Sequence, residues 1–375
     1  MKRNATQALI NWKNSEDRKP MVLKGARQVG KTWLMKEFGR LYFEKCAYIN
    51  FDRNKRMEQL FSGDFSVDRI LAGLAIESGV EIEPENTLII LDEIQEVPPA
   101  LQSLKYFCED ERHSYYIVAA GSLLGIAMHQ GTSFPVGKVD STELYPLSFS
   151  EFLDATGNSS LLNLLQQKDF AMITAFKDKY IDLLKTYYYV GGMPAAVNAY
   201  AESGNLKTVR RIQKRLISDY EQDFSKHAPT AVIPRIQMVW DGIPSQLAKE
   251  NKKFIYSVLR EGARAKDFEL AIQWLTDCGL CHKVGRVTKG GIPLKAYQDI
   301  PAFKLYLVDV GLLAAMTDLD AKTLLMGNAI FTEFKGALTE QYICQQLYAE
   351  LDMVPYYWSA EASSGEVGFV LQFRG

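Results

Sequence analysis

Short apolar runs alternate with longer amphipathic stretches over the first 150 residues. Four runs are rich in β-branched or aromatic side chains and predict strands: MVLKG, AYINFD, TLIILDE and YYIVAAGS. Helical patterns such as KTWLMKEFGRLYF and PPALQSLKYFCEDERH lie between them. The TLIILDE run is apolar up to its acidic end, which is typical of a strand that is buried on both faces. The pattern therefore predicts an α/β domain with a parallel sheet covered by helices.

The rest of the chain has a different pattern. Residues 151–230 are expected to be almost wholly helical, and residues 231–300 to form two helices and a β-hairpin with KGGIP as its turn. Residues 301–375 begin with a predicted strand, KLYLVDVGLL, followed by a helix, GALTEQYICQQLYAEL, and two β-like runs, VPYYWS and EVGFVLQF. We therefore divide the chain into four parts, 1–150, 151–230, 231–300 and 301–375.

Composition restricts the class of protein. The 375 residues are 47% hydrophobic and 23% charged, which indicates globular domains and excludes a disordered chain or a coiled coil as the overall description. The 43 Lys and Arg residues against 45 Asp and Glu residues exclude a protein that is basic throughout, but not a local basic patch. The N-terminus lacks the apolar core of a secretory signal, no apolar run approaches the ~20 residues of a membrane span, and the five cysteines are thinly spread. We expect a cytoplasmic protein with reduced thiols and no membrane partner.

The strongest chemical motif is GARQVGKT, which follows the first predicted strand and opens a helix. It matches G-x-x-x-x-G-K-[ST] in the context that a phosphate-binding loop requires. Gly25 and Gly30 let backbone N–H groups converge on phosphate oxygens, Lys31 would neutralise the β- and γ-phosphates, and the Thr32 hydroxyl would ligate Mg²⁺. The residues predicted to contact the nucleotide are Gly25, Ala26, Arg27, Gln28, Val29, Gly30, Lys31 and Thr32.

Two carboxylates end the buried strand about 60 residues after this loop. Asp92 would support Mg²⁺ together with Thr32, and Glu93 would orient the attacking water. The next predicted strand ends in Gly121-Ser122. Ser122 would lie near the γ-phosphate if this strand lies beside the strand that ends in Asp92. The alternative for Ser122 is an ordinary turn residue. We therefore predict an ATP and Mg²⁺ site with Lys31, Asp92, Glu93 and Ser122 as its catalytic residues.

Several motifs taken together resemble one group of proteins. KPMVLKGARQVGKTWLMKEF, LIILDEIQ, LYPLSFSEFL, VGGMPAAV, DFELAIQWLTDCGLCHKVGRV and GALTEQYICQQL are similar to bacterial and archaeal AAA-type ATPases that carry a C-terminal domain of unknown function. The resemblance implies a P-loop NTPase core with an AAA/RecA-like parallel sheet and an additional strand. It also implies a helical extension over 151–230, a winged-helix module over 231–300, and a region similar to PD-(D/E)xK nucleases over 301–375.

The nuclease-like region departs from the pattern of that family. The helix glutamate of the family maps to Glu340, but EVGFV has Gly368 at the usual aspartate position, and no Glu-x-Lys strand follows. A metal-dependent nuclease needs carboxylates around its cation. We therefore predict no nuclease activity.

Two basic runs and one cysteine pair carry weaker signals. The first run could give the winged-helix module a DNA-binding face: Lys249, Lys252, Lys253, Arg260, Arg264 and Lys266. The second run is Lys207, Arg210, Arg211, Lys214 and Arg215. A solvated helix surface is the alternative for both. Cys278 and Cys281 form a C-x-x-C without a second ligand pair, which favours two structural residues over a zinc site.

The leading hypothesis is an Mg²⁺-dependent ATP hydrolase whose reaction rearranges the C-terminal modules. The alternative is a nucleotide-gated module that binds DNA or a partner protein with negligible turnover of its own. A small-molecule kinase is disfavoured, because the Asp92-Glu93 pair suits hydrolysis. A homo-oligomer that completes the site is compatible with either hypothesis.

Overall fold

The computed structural model describes residues 1–112, 114–122, 124, 134–248, 253–326, 332–351, 353–360 and 365–373. The chain forms two compact units: Arg3–Leu144, which we call the N-terminal unit, and Met1–Lys2 with Tyr145–Gly375, which we call the C-terminal unit. In the part of the chain that the structure describes, no helix is both long and apolar enough to cross a membrane.

The N-terminal unit contains a parallel sheet. Its described strands are β1 (Met21–Lys24), β2 (Lys45–Asn50), β3 (Thr87–Asp92), β4 (Tyr116–Ala120) and β5 (Asp140–Glu143), in the order β2-β3-β4-β1-β5. All four strands predicted from the apolar runs are confirmed. The pattern missed β5, because its residues DSTE are polar and at most half-buried where they pair with β1 at the edge.

The strand order determines which chain segments meet at the site. β4 lies between β1 and β3, which is the additional strand that the family resemblance implies. Asp92 at the end of β3 is opposite Ala120 of β4 and Asn50 of β2. Every residue of β3 is buried, as its apolar run predicted. The carboxyl ends of β1, β3 and β4 therefore lie side by side, which is where ligands bind to open α/β sheets.

Helices precede β1 and separate β1 to β4 along the chain. They are α1 (Ala5–Lys13), α2 (Lys31–Tyr42), α3 (Lys55–Phe61), α4 (Val67–Ser78) and α5 (Pro98–Cys108), with a short 3₁₀ helix at Ile94–Glu96. Alternate residues of the central strands, such as Ile89, Leu91 and Ile117, form a buried core with apolar residues of α3, α4 and α5. This packing supports the strand ends that carry the candidate site.

The C-terminal unit begins as a series of helices, as predicted for residues 151–230. They are α6 (Phe149–Ala155), α7 (Ser159–Gln167), α8 (Phe170–Ala175), α9 (Lys177–Val190), α10 (Pro194–Ser203) and α11 (Leu206–His227). The LYPLSFSEFL motif provides the start of α6. The Ser148 hydroxyl accepts a hydrogen bond from the Glu151 N–H, and the Glu151 carboxylate accepts one from the Ser148 N–H.

The later helices surround a second sheet. The helices are α12 (Ile233–Ala248), α13 (Ala265–Asp277), α14 (Val310–Met316), α15 (Ala321–Met326) and α16 (Thr332–Leu351), with 3₁₀ helices at Tyr256–Val258 and Leu294–Tyr297. The described strands are β6 (Cys281–Val287), β7 (Gln298–Leu307), β8 (Tyr356–Ser359) and β9 (Glu366–Val370). Their order is β7-β6-β8-β9, with β6 and β8 parallel and the other pairs antiparallel.

The second sheet joins residues on both sides of position 300. β7 crosses this position, and β6 pairs with β8 near the end of the chain. The division into four parts remains a prediction, and the winged-helix assignment with it. The predicted strand KLYLVDVGLL is wrong in its second half, because Asp309 accepts a hydrogen bond from the Leu312 N–H and so caps α14.

Asp309 also connects two of the sequence motifs. Its buried carboxylate accepts hydrogen bonds from the Gly192 N–H (2.5 Å) and the Gln345 amide (3.2 Å). Gly191 has a φ of 72°, and a Cβ there would overlap the Asp309 carboxylate. The VGG and VDVG motifs therefore form one buried contact within the C-terminal unit.

Candidate nucleotide-binding site

The GARQVGKT loop connects β1 to α2 with the geometry of a phosphate-binding loop. Gly30 precedes the first residue of α2 with a φ of 98°, and Gly25 has a φ of 129°. A Cβ at Gly25 would overlap the carbonyl of Leu144. Both positions therefore require glycine, and the N-terminus of α2 directs its free N–H groups toward the ends of the strands.

Lys31 is almost fully enclosed at the start of α2. Its side chain is 6% exposed, and its ammonium donates hydrogen bonds to the carbonyl oxygens of Gly25 (2.9 Å) and Ala26 (2.8 Å). Burial lowers the pKa of Lys31 to about 8, although the carboxylates of Glu93 and Asp92 act in the opposite direction. The ammonium thus lies inside the loop and beside the acidic ends of the site.

Thr32 and Asp92 meet directly. The Thr32 hydroxyl donates to the Asp92 carboxylate over 2.8 Å, and Asp92 is 3% exposed at the end of β3. A hydroxyl and a carboxylate are oxygen ligands of the kind that Mg²⁺ takes in proteins, together with phosphates and water. The pair therefore fits the predicted Mg²⁺ site.

Tyr48 of β2 is a neighbour of this pair that sequence reasoning missed. Its hydroxyl donates to the Asp92 carboxylate over 3.0 Å, and the Lys36 ammonium lies 3.6 Å from the centre of its ring. Burial raises the pKa of Tyr48 to about 12, and the negative charge of Asp92 adds to this effect. Tyr48 thus remains a hydrogen-bond donor that fixes one oxygen of Asp92.

Glu93 has a left-handed backbone with a φ of 54°, which is uncommon for a residue other than glycine. The Ser122 hydroxyl lies 3.1 and 3.3 Å from its two carboxylate oxygens, and the Gln95 amide donates to one of them over 2.7 Å. The expectation that the Ser122 strand lies beside the Asp92 strand is confirmed. The turn after β3 therefore directs the Glu93 carboxylate toward the end of β4.

Gln95 is a second residue that sequence reasoning missed. Its amide oxygen is buried and, among the described residues, has no hydrogen-bond partner. A Cβ at Gly121 would overlap that oxygen, so the Gln95 amide fits only against a glycine. The sequence does contain a signal for this contact. Gln95 stands two residues after Glu93, so its amide can reach back to the Glu93 carboxylate within one turn.

The remaining loop residues differ in what they can contribute. Ala26 and Val29 are buried, so only their backbone groups are available to a ligand. Arg27 and Gln28 have exposed side chains, and Gln28 has a φ of 66°. The structure thus brings Lys31, Thr32, Asp92, Glu93 and Ser122 together, while their roles remain predictions.

The N-terminal unit also matches a known family. Residues 17–153 match the family model described as "AAA domain". This unit has the fold of an AAA-type P-loop NTPase. Residues 181–323 match a second family model, "Domain of unknown function (DUF8612)", which crosses the predicted boundaries at 230 and 300. No curated protein matches the chain.

Three solved structures show partial similarity to this chain. The Walker-type ATPase paby2304 of Pyrococcus abyssi is 13% identical, with 83% of this chain and 94% of that chain covered and a TM-score of 0.49. The Orc1 protein of Aeropyrum pernix, solved in complex with DNA, is 12% identical, with coverage of 84% and 90% and a TM-score of 0.32. Cdc6p from Pyrobaculum aerophilum is 12% identical, with coverage of 84% and 93% and a TM-score of 0.28.

The region that resembles PD-(D/E)xK nucleases, in the C-terminal unit, contains a cluster of ion pairs. The Lys304 ammonium lies 3.2 Å from the Glu340 carboxylate and 2.6 Å from that of Glu366, and the Tyr306 hydroxyl donates to Glu340 over 2.8 Å. Gly368 faces Glu340 without a side chain. Within the described ranges, no three His, Cys, Asp or Glu side chains are grouped to hold a metal ion.

The cysteine pair belongs to the core of the C-terminal unit. Cys278 and Cys281 are buried as free thiols, and burial raises the pKa of both. His282 stacks on Tyr348 with ring centres 4.0 Å apart. Lys249 and Lys252 of the first basic run lie outside the described residues.

Proposed function

We propose that the protein is an Mg²⁺-dependent ATP hydrolase. The observation that carries the proposal is the hydrogen-bonded pair of Thr32 and Asp92 beside a glutamate held by Ser122 and Gln95. A phosphate-binding loop alone would serve many reactions of nucleotides. The glutamate next to Asp92 adds a group that can accept a proton from water.

The loop would bind the phosphates through its backbone N–H groups and Lys31. Lys31 would exchange its contacts with the Gly25 and Ala26 carbonyls for phosphate oxygens, which favour the charged ammonium. Thr32 and Asp92 would hold Mg²⁺, which supplies positive charge that neutralises the phosphates. Tyr48 would keep the Asp92 carboxylate oriented.

Glu93 would direct the attacking water. The water oxygen forms a bond to the γ-phosphorus while the bond to the β,γ-bridging oxygen breaks, and ADP leaves with that electron pair. The proton of the water passes to the Glu93 carboxylate and then to solvent. Ser122 and Gln95 would keep this carboxylate near the end of β4, where the γ-phosphate would lie.

Phosphate release with ATP, measured with and without Mg²⁺, tests the proposal. Lys31→Ala should lose nucleotide binding and turnover, because it removes the cation that contacts the phosphates. Glu93→Gln should retain nucleotide binding and lose turnover, because the amide cannot accept the proton. Turnover that survives both substitutions would refute the assignment.

We further propose that nucleotide binding or hydrolysis rearranges the C-terminal unit and that the protein assembles into homo-oligomers. Mass in solution and limited proteolysis, each with and without a non-hydrolysable ATP analogue, would test these proposals. A monomeric mass under both conditions would contradict the oligomer, and an unchanged cleavage pattern would contradict the rearrangement.

A second candidate is a nucleotide-gated module that binds DNA or a protein with negligible turnover of its own. The observation in its favour is that Ser122 and Gln95 already occupy both carboxylate oxygens of Glu93. These two donors hold the carboxylate in one orientation, and the second candidate requires that a bound ligand releases it for hydrolysis. Turnover that is negligible alone and rises with duplex DNA or a partner would favour this candidate.

A further inference from the structure

Helix α11 presents to solvent a polar surface whose cations lie mainly in the first half of the helix. It has 22 residues, and its exposed positions recur every three or four residues. We call these positions the α11 stripe: Lys207, Arg211, Lys214, Arg215, Ser218, Gln222, Ser225 and Lys226. At 1.5 Å per residue, the stripe is about 28 Å long. It contains no acidic and no apolar side chain.

The opposite face of α11 fixes the helix in the C-terminal unit. Its buried residues include Val209, Leu216, Tyr220 and Phe224, and the buried amide of Gln213 donates to the carbonyl oxygens that end α9. The acidic residues Asp219 and Glu221 are half-buried at the edges between the two faces, and Asp223 is buried. The stripe is therefore a rigid surface whose orientation is set by the core.

Most of the charge of the stripe is not neutralised. Lys214 makes an ion pair with Asp318 over 2.6 Å. In the described part of the chain, no salt bridge involves Lys207, Arg211, Arg215 or Lys226. The neutral members Ser218 and Gln222 add hydrogen-bond donors between the cations. The surface thus carries local positive charge on a chain whose formal net charge is −2.

These properties favour a nucleic-acid backbone over a protein interface or a membrane surface as the partner of the stripe. The centre of a protein–protein interface is enriched in aromatic residues and depleted of charge, whereas the stripe has no aromatic residue. A helix that lies on a membrane inserts an apolar face, whereas the apolar face of α11 is buried. Nucleic-acid backbones are contacted by Arg, Lys, Ser and Gln side chains, and all four types occur in the stripe.

Among the described residues of the module predicted to bind DNA, helix α13 has no such surface. The exposed positions of α13 include Lys266, Glu269, Leu270 and Gln273, and Leu270 is 66% exposed. The charges of one lysine and one glutamate cancel on this face, and an exposed leucine makes no favourable contact with a phosphate group. We propose that the α11 stripe, rather than the predicted winged-helix module, binds the sugar–phosphate backbone of a nucleic-acid duplex.

Fluorescence anisotropy of the full chain tests this assignment. The probes are a DNA duplex and an RNA duplex of the same sequence, each about 20 base pairs long, at about 50 and 200 mM NaCl. The test variant combines Lys207→Gln, Arg211→Gln and Arg215→Gln. The matched control combines Lys253→Gln, Arg260→Gln and Lys266→Gln, which removes three exposed cations from the predicted winged-helix module. Arg211→Lys with Arg215→Lys keeps the charge of the stripe.

Wild-type protein should bind at least one duplex and lose affinity as salt rises. The α11 variant should bind about tenfold more weakly at the lower salt, and its slope of log K against log salt should fall by about 2 to 3. The control and the lysine variant should keep the wild-type slope. Circular dichroism and the unfolding temperature verify that all variants fold.

Three results would overturn the proposal. The first is no binding of either duplex at the lower salt concentration. The second is a loss of affinity in the control variant that equals or exceeds the loss in the α11 variant. The third is binding to vesicles that contain phosphatidylserine without binding to either duplex, which would assign the stripe to a membrane surface.

Discussion

The turn after β3 concentrates the unusual residues of the candidate site. Glu93 adopts a left-handed backbone, Gln95 reaches back to its carboxylate, and Gly121 provides the space that the Gln95 amide needs. A left-handed non-glycine residue costs roughly 1 to 2 kcal/mol, so the surrounding contacts must hold it in place. Gln95 and Ser122 both contribute hydrogen bonds to that restraint.

We expect Gln95→Met to lower kcat by about tenfold, because a carboxylate that is no longer held is misplaced for water. The KM for ATP should change little, because the hydrogen bonds of Gln95 among the described residues are to Glu93 and Glu96 and not to the phosphate-binding loop. Steady-state phosphate release measures both quantities. Gln102→Met, at another half-buried glutamine, is the matched control. A rise in kcat in the Gln95 variant would contradict the positioning role and support the second candidate function.

His282 should make the C-terminal unit sensitive to acid. Burial lowers the pKa of His282 to about 4, and its Nε2 has no hydrogen-bond partner among the described residues. Between pH 6.5 and about 4 the unfolded chain binds this proton and the folded chain does not. The free energy of unfolding should therefore fall across this window by up to about 3 kcal/mol.

Urea unfolding of wild type and His282→Phe at several pH values isolates this effect. Phenylalanine retains the aromatic stack on Tyr348 but cannot be protonated. Burial also raises the pKa of Asp309 to about 6, so Asp309 adds stability as the pH falls from 6 to 3.8. Wild type and His282→Phe both contain Asp309, so its opposite contribution to the pH dependence is the same in each. Equal pH dependence in the two proteins would contradict the prediction for His282.

At the scale of elements, the apolar pattern identified most strands and helices but not the edge strand that pairs with β1. β1, β3 and β4 are visible in the sequence because their residues are mostly apolar and buried, and β2 because its buried apolar residues Ala47 and Ile49 alternate with less buried ones. β5 is polar and lies at an edge, so only its pairing with β1 reveals it. The end of β7 was predicted wrongly because the apolar run continues past Leu307 into α14, which Asp309 caps through the Leu312 N–H.

The same reasoning explains which site residues were predictable. The phosphate-binding loop and the Asp92-Glu93 pair are contiguous in sequence, so their chemistry is readable from local spacing. Tyr48 belongs to a different strand, and its contact with Asp92 exists only because β2 pairs with β3. Contacts created by strand pairing cannot be read from one segment alone.

A side chain added in the turn between α9 and α10, where it contacts Asp309, should lower the free energy of unfolding more than the positive φ of that turn alone would. Gly191→Ala should destabilise the protein by about 2 to 4 kcal/mol, because it combines a positive φ with overlap of a buried carboxylate. Gly204→Ala is the matched control, since Gly204 also has a positive φ but has open space where a Cβ would lie. It should cost only about 1 kcal/mol. Equal losses in thermal unfolding would show that the overlap is relieved.

At the scale of the whole molecule, the ionic cluster around Lys304 bears on nuclease activity. The ammonium lies between Glu340 and Glu366, so a divalent cation would have to displace it, and Gly368 supplies no further ligand. We expect no cleavage of plasmid or single-stranded DNA with Mg²⁺ or Mn²⁺. Glu340→Ala should leave this result unchanged. Metal-dependent cleavage that disappears in Glu340→Ala would contradict the prediction.

The pairing of β6 with β8 affects the order in which the chain can fold during synthesis. All strands of the first sheet are available once Glu143 has emerged from the ribosome, so that sheet can form early. β6 must wait for Tyr356, because Gly285 pairs with that residue. Until then, the nascent chain exposes an unpaired edge of β6, a surface on which strands of other chains can pair. Chaperones that cover exposed edges would therefore matter most between the emergence of β6 and the emergence of β8.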